Sequence, residues 1–294
     1  MKLLFVGDVI GKPGRRVVKT LLPSLIDQHA IDYTVVNIEN SAGGFGVQPK
    51  VLAELDDLPI DCYTTGNHVW DKKEVHQLLK ERPDLLRPHN YPAGNPGTGI
   101  HVGETASGIK VATINLEGRV FMNALESPFV WADRLLEELP DDVKVILVDF
   151  HAEATSEKQA MGFYLDGRVS LVVGTHTHVP TADERILSQG TAFMTDAGMT
   201  GPYESVIGMR VDKVLKRFLL QTPSSFDVAK RDVRLAGVRP DAPLLAAVVA
   251  GLVVAAVFLV VTWMLHDGLE DPAPRQRRQP QPATGLQPLS NPPS

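Results

Sequence analysis

Eight side chains of this sequence are of types that bind metal ions or move protons, and they come at the ends of five short apolar runs: Asp8, Glu39 with Asn40, Asn67 with His68, His151, and His176 with His178. Together they supply carboxylates, amide oxygens and imidazoles. That donor set suits Mn, Fe, Zn or Mg and lacks the thiolates of structural zinc. Seven of them are candidate ligands: Asp8, Glu39, Asn40, Asn67, His151, His176 and His178. Seven are too many for one ion that keeps open positions. Two divalent or trivalent ions bridged by Glu39 fit better, and ions ~3.5–4 Å apart are a device for phosphoryl-ester hydrolysis. His68, beside Asn67, can carry a proton near neutral pH and is the candidate catalytic residue.

Each residue has a plainer reading when taken alone. Asp8 could cap a helix, His151 could fill a core, and Glu39-Asn40 could be loop residues. The H-x-H of 176–178 is harder to dismiss, because strand spacing would point both rings the same way. The joint occurrence at five strand ends is what carries the argument.

The elements that must position them follow from hydrophobic patterning. Residues 3–6, 33–38, 60–64, 110–115, 143–150, 169–173 and 191–195 read as strands, and 215–235 holds at least one more. Helices are expected at 13–28, with Pro13 in the first turn, and at 49–57, 72–81, 129–138 and 156–164. Gly66 is expected to give a sharp exit from the third strand. Alternating strands and helices predict an α/β layer structure with ligands at the carboxyl ends of the strands.

Composition sets the outer limits. The 294 residues are 44% hydrophobic, enough for one large domain and an appendage, and the net charge of −6 argues against a broad electrostatic grip on nucleic acid. The single cysteine, Cys62 in an apolar run, excludes an internal disulfide and fits a reducing compartment. Residues 244–265 carry no charge over 22 positions, and at ~1.5 Å per residue such a helix would cross a bilayer. Lys230, Arg231, Arg234 and Arg239 precede it, placing the catalytic domain in the cytoplasm. The expected organisation is a catalytic domain over 1–239, a transmembrane helix over 244–265 and a disordered Pro/Gln/Arg-rich tail over 266–294. The oligomeric state is not set by the sequence, and a homo-oligomer is compatible with it.

The strings Gly7-Asp8, Gly66-Asn67-His68, His151 and Gly174-Thr-His-Thr-His178 resemble the calcineurin-like metallophosphoesterase superfamily. The longer strings F-V-G-D-V-I-G-K-P-G-R, N-I-E-N-S-A-G-G-F-G, G-N-H-V-W-D, D-F-H-A-E-A-T-S-E-K and V-G-T-H-T-H-V-P-T-A-D resemble its YmdB-like phosphodiesterases, over roughly residues 1–220. The resemblance implies a four-layer αββα sandwich and a dinuclear site. One ion would be held by Asp8, Glu39, Asn40 and His178, the other by Glu39, Asn67, His151 and His176. It implies 2′,3′-cyclic nucleotides as substrates, small molecules or RNA-derived, with metal-activated hydroxide attacking phosphorus and His68 as general acid. Two departures from the superfamily pattern stand out: Ile10 replaces a ligating histidine, and Val69 replaces the acidic residue after the G-N-H histidine, leaving Asp71 as the residue that could orient His68. The alternatives are a phosphomonoesterase or nuclease on the same site, or a membrane-tethered regulatory protein with weak activity.

Overall fold

Side chains alternate across the first strand, β1 (Leu3–Val6): Leu3 and Phe5 belong to one core cluster, Leu4 and Val6 to another. Both faces of its sheet must therefore be covered, and the architecture follows from how that is done. In this computed structural model the described residues are 1–240, with 258–260 and 263–264 beyond them. The first sheet sets β1 parallel to β3 (Tyr33–Asn37), and β3 parallel to β4 (Cys62–Thr64). On the other side β1 pairs antiparallel with β13 (Gly237–Pro240), which pairs with β14 (Phe258–Val260).

The second sheet runs β5 (Ile100–Glu104), β6 (Lys110–Glu117), β7 (Val145–His151), β8 (Leu171–Thr175), β10 (Ala192–Met194) and β9 (Arg185–Ile186). Strands β6, β7, β8 and β10 are parallel, and both edges are antiparallel. A four-stranded sheet of β15 (Trp263–Met264), β12 (Val233–Leu235), β11 (Met199–Pro202) and β2 (Asp8–Val9) lies across the chain's return.

Phe5, Tyr33 and Val35 of the first sheet share a core with Val145, Leu147 and Val173 of the second, so the two sheets pack face to face. The outer face of the first is covered by α1 (Gly11–His29), through Val17, Val18, Leu22 and Leu25, by α2 (Pro49–Ala53) through Leu52, and by α3 (Val75–Glu81). The outer face of the second is covered by α4 (Pro128–Glu137) and α5 (Thr155–Tyr164), through Leu135 and Met161. The layers run α, β, β, α. The amphipathic spacing along α1 thus selects the sheet face that it covers.

Three expectations need correction. No helix among the described residues is long and apolar enough to cross a membrane. Within the expected transmembrane helix, 258–260 and 263–264 are instead strands that pair with β13 and β12; its other residues, and the tail 266–294, lie outside the described residues. An uncharged run reports apolarity and not conformation, and Phe-Leu-Val is good strand material for an open sheet edge. Membrane anchoring loses the helix on which it rested. Second, the strand expected within 215–235 is β12 at its far end, and the first part of that stretch belongs to a helix that was not anticipated, α6 (Val211–Leu220). Third, β5, β2 and β11 were not anticipated. Strand β5 is only partly buried, so its apolar signal is weak.

Candidate metal centre

The parallel strands of both large sheets deliver their carboxyl ends to one place, as open α/β sheets do. After β1 the chain passes Gly7 to Asp8. After β3 it reaches Glu39 and Asn40, and after β4 it turns through Gly66 to Asn67 and His68. Strand β7 ends on His151 itself, and β8 ends on Thr175, just before His176 and His178. Register places His151 beside Thr175 and Thr64 beside Asn37.

Donor atoms of Glu39, His151 and His176 lie within 4.8 Å of one another, a grouping that can hold a metal ion. His151 Nε2 is 2.8 Å from Asn67 Oδ1, 3.1 Å from His176 Nδ1 and 3.3 Å from Glu39 Oε2. His176 Nε2 meets the exposed carboxylate of Glu153 at 2.9 Å. Asp8 is fully buried beside this group, and its Oδ2 accepts the backbone N–H of His176 at 3.1 Å. Asn40 is buried with its amide nitrogen donating to Gly44 O, and His178 is held through Nδ1 by Ile207 O at 3.0 Å. Glu39, Asn40, His68, His176 and His178 all line one cavity. Gly66 lies outside the left-handed region. Its role is space, because a Cβ there would collide with the His151 ring and the Glu39 carboxylate.

His176 and His178 sit in a loop past the end of β8, with φ of 102° and 66°. These are left-handed values that non-glycine residues seldom adopt and that recur at functional sites. Strand spacing is therefore not what aligns them. Asp196 holds the loop instead, accepting from the N–H and hydroxyl of Thr177 at 3.2 and 2.8 Å, while buried Lys158 pairs with the same carboxylate at 2.7 Å.

Sequence reasoning missed the layer behind the cluster. Asp149 is fully buried and accepts from Thr64 Oγ1 at 2.5 Å, Thr175 Oγ1 at 2.7 Å and Asn37 Nδ2 at 3.0 Å. With its proton given to Asp149, the Thr175 oxygen can only accept from His151 Nδ1, 2.9 Å away. That network assigns the proton to Nδ1 and leaves the Nε2 lone pair facing Asn67, Glu39 and His176. Orienting a ligating imidazole in this way is the usual work of such outer partners. The available signal was alternation: two positions before His151 on one strand, Asp149 must share its face.

Electrostatics test the fit to a cation. Burial, and then the negative charge of Asp196, push Asp8 up to about 8. Burial and then Asp8 hold Glu39 well above the usual carboxylate range. Burial and then His176 keep His151 well below its ordinary value, and burial brings His176 down to about 4. The contact of neutral His151 with Glu39 is thus not an ion pair. Asp8 Oδ1, Glu39 Oε1 and Asn40 Oδ1 are buried without a hydrogen-bond partner. Crowded carboxylates, orphaned oxygens and imidazole lone pairs turned inward are what a bound cation would relieve.

His68 stands apart from this buried group. Its side chain is 27% exposed, its Nδ1 lies 2.9 Å from Asp71 Oδ2, and its ring meets Phe45 edge-on at 5.0 Å. Asp71 therefore occupies the orienting place left open by Val69.

Comparison with known proteins agrees in extent. The family model for YmdB-like proteins matches residues 4–242. A 2′,3′-cyclic-nucleotide 2′-phosphodiesterase of Bacillus subtilis (strain 168) is 48% identical over 241 residues, covering 82% of this chain and 91% of that protein. The crystal structure of a hypothetical protein from Thermus thermophilus superposes with a TM-score of 0.81 at 42% identity, covering 90% of this chain and 99% of the other. The structure of a novel phosphatase from Mycoplasma pneumoniae gives a TM-score of 0.81 at 33% identity, covering 90% and 93%.

Proposed function

This chain belongs to the YmdB-like family, and from that premise we propose that it is a metal-dependent phosphoric diester hydrolase acting on 2′,3′-cyclic nucleotides. The observation that carries the reading is the convergence of Glu39, His151 and His176 within 4.8 Å, beside a solvent-accessible cavity. In this reading Asp8, Glu39, Asn40 and His178 hold one cation, and Glu39, Asn67, His151 and His176 hold a second, drawn from Mn, Fe, Zn or Mg. When bound, such cations neutralise phosphate charge and make water a nucleophile at neutral pH.

The chain's own residues do the rest. The rigid loop of His176 and His178, pinned by Asp196, keeps the ligands from relaxing. Asp71 fixes Nδ1 of His68, leaving Nε2 as the ring nitrogen available to substrate. As water's oxygen joins phosphorus and the P–O2′ bond breaks, the departing ribose oxygen needs a proton, and His68 donates it. The carboxylate of Asp71 supports the imidazolium form that gives up this proton, and the neutral ring left behind takes a proton back from water.

The test is metal analysis of the purified chain together with a substrate panel. A 2′,3′-cyclic nucleotide should be opened to its 3′-monophosphate, faster than a 3′- or 5′-mononucleotide loses phosphate. Turnover of the monoesters alone would replace this reading with a phosphomonoesterase on the same ligands.

A further inference from the structure

The cavity that opens beside the cluster is larger than the bond-breaking step requires. It encloses about 980 Å³, at the top of the ~300–1,000 Å³ range of small-molecule sites. One end is the cluster itself. The other is α6 and the segment behind it, where Val214, Arg217, Phe218 and Gln221 line the cavity. Their spacing of three, four and seven places them on one helix face. Phe218 is 74% exposed although it is a large aromatic. Arg217 lies over the Phe226 ring at 5.0 Å and makes no ion pair with a carboxylate among the described residues. Phe45, against His68, lines the cluster end.

Aromatic rings, one of them exposed, and an uncommitted guanidinium along one groove are the equipment of single-strand nucleic-acid sites. There the rings stack bases and the cation meets the backbone. A net charge of −6 speaks against a long polyanion, whereas one free guanidinium matches a single phosphate. Resting on the phosphodiesterase reading above, we propose that the α6 wall is a subsite for the nucleotide 5′ of the cyclic phosphate, so that the substrate is the 2′,3′-cyclic-phosphate end of a short RNA. Arg217 pairs with the phosphodiester that joins the terminal nucleoside to its neighbour, and Phe218 stacks the neighbour's base. Such ends form when a ribose 2′-oxygen attacks its own 3′-phosphodiester and expels the next 5′-oxygen. RNA cleavage by transesterification is therefore the class of reaction that must supply this substrate.

The test measures kcat/KM of the full chain, loaded with Mn²⁺, on a 2′,3′-cyclic mononucleotide and on a dinucleotide ending in the same cyclic phosphate. The dinucleotide should be preferred by about tenfold, within the range of one base–aromatic stack. Arg217→Met and Phe218→Ala should each erode that preference, chiefly through KM. Leu219→Ala, 78% exposed on the same helix but not lining the cavity, should leave it intact. Equal use of the two substrates by the unaltered chain, or variants that slow both alike, would overturn the subsite and leave the phosphodiesterase reading standing. Turnover of neither would remove both.

Discussion

One cavity has two walls of opposite construction. At the cluster, Asp8, Glu39 and His151 are fully buried, and His151 is fixed through Thr175 to an aspartate that holds three donors at once. At α6, Phe218 is mostly exposed, and Arg217 is tied to little besides the Phe226 ring. The first wall is crowded with charge that burial makes unfavourable; the second carries apolar surface that water meets directly. Rigid, strained, polar construction suits a step in which atoms must be placed to a fraction of an ångström. A wall with few fixed partners suits a part of the substrate that varies.

The strongest way to break this contrast is to remove the residue on which the first wall converges. Glu39→Gln should abolish metal loading at both positions, read as ions per chain by elemental analysis, and turnover should fall to background. Retention of a full metal complement would show that the orphaned Glu39 oxygen is not a ligand. Next comes His68→Ala, which should keep the metal and lose about 10²–10⁴-fold in kcat on a cyclic nucleotide, the usual share of a general acid. An unchanged kcat would take His68 out of proton transfer. Asp71→Asn should cost less than His68→Ala and should shift the pH profile, because it leaves the ring present and only loosens its orientation.

Most of the first wall could be read in the chain, and the reasons are local. Asp8, Glu39, His151 and His176 each follow an apolar run, and strand ends in a parallel sheet share an edge. What could not be read depended on distance or on backbone. Lys158 and Asp196 are 38 positions apart, and only the fold makes them a pair. The alignment of His176 and His178 comes from left-handed backbone after β8, which a spacing argument for strands cannot anticipate. Asp149 sat within an apolar strand, where alternation with His151 would have exposed it. The C-terminal run misled because its lack of charge reports apolarity and not conformation, and 258–260 and 263–264 within it pair as strands. In α6 the exposed Leu215 and Leu219 blurred the helical period that its cavity-facing residues keep.

A finer test concerns the layer behind the cluster. Asp149→Asn replaces one acceptor oxygen by a donor, so Thr175 can no longer give its proton away, and the tautomer of His151 is no longer dictated. Metal affinity should weaken by about 10–100-fold, the common cost of losing an outer partner of a ligating histidine. A melting temperature near that of the unaltered chain would separate this from simple unfolding. Loss of affinity without loss of fold would show that the cluster wall owes its rigidity to the second layer as well as to the ligands.

The smallest effect expected is on the pH dependence of stability in the metal-free chain. Asp8 holds its proton in the folded state to about 8, while in the unfolded chain it ionises near 3.8. Between about pH 7 and pH 9 the unfolded histidines are already neutral, so they add nothing to the balance. The folded state there binds extra protons, on Asp8 and on Glu39, whose carboxyl burial also holds up, and raised folded values mean stability that is lost as pH rises through them. The slope approaches about 1.4 kcal/mol per pH unit for one proton. Denaturant midpoints of the chelator-treated chain should therefore fall across this window. The metal-loaded chain should stay level, because a cation keeps the carboxylate ionised throughout. The same decline in both forms would mean that Asp8 is not the group that the cation discharges, and that the two walls differ less in charge than their construction implies.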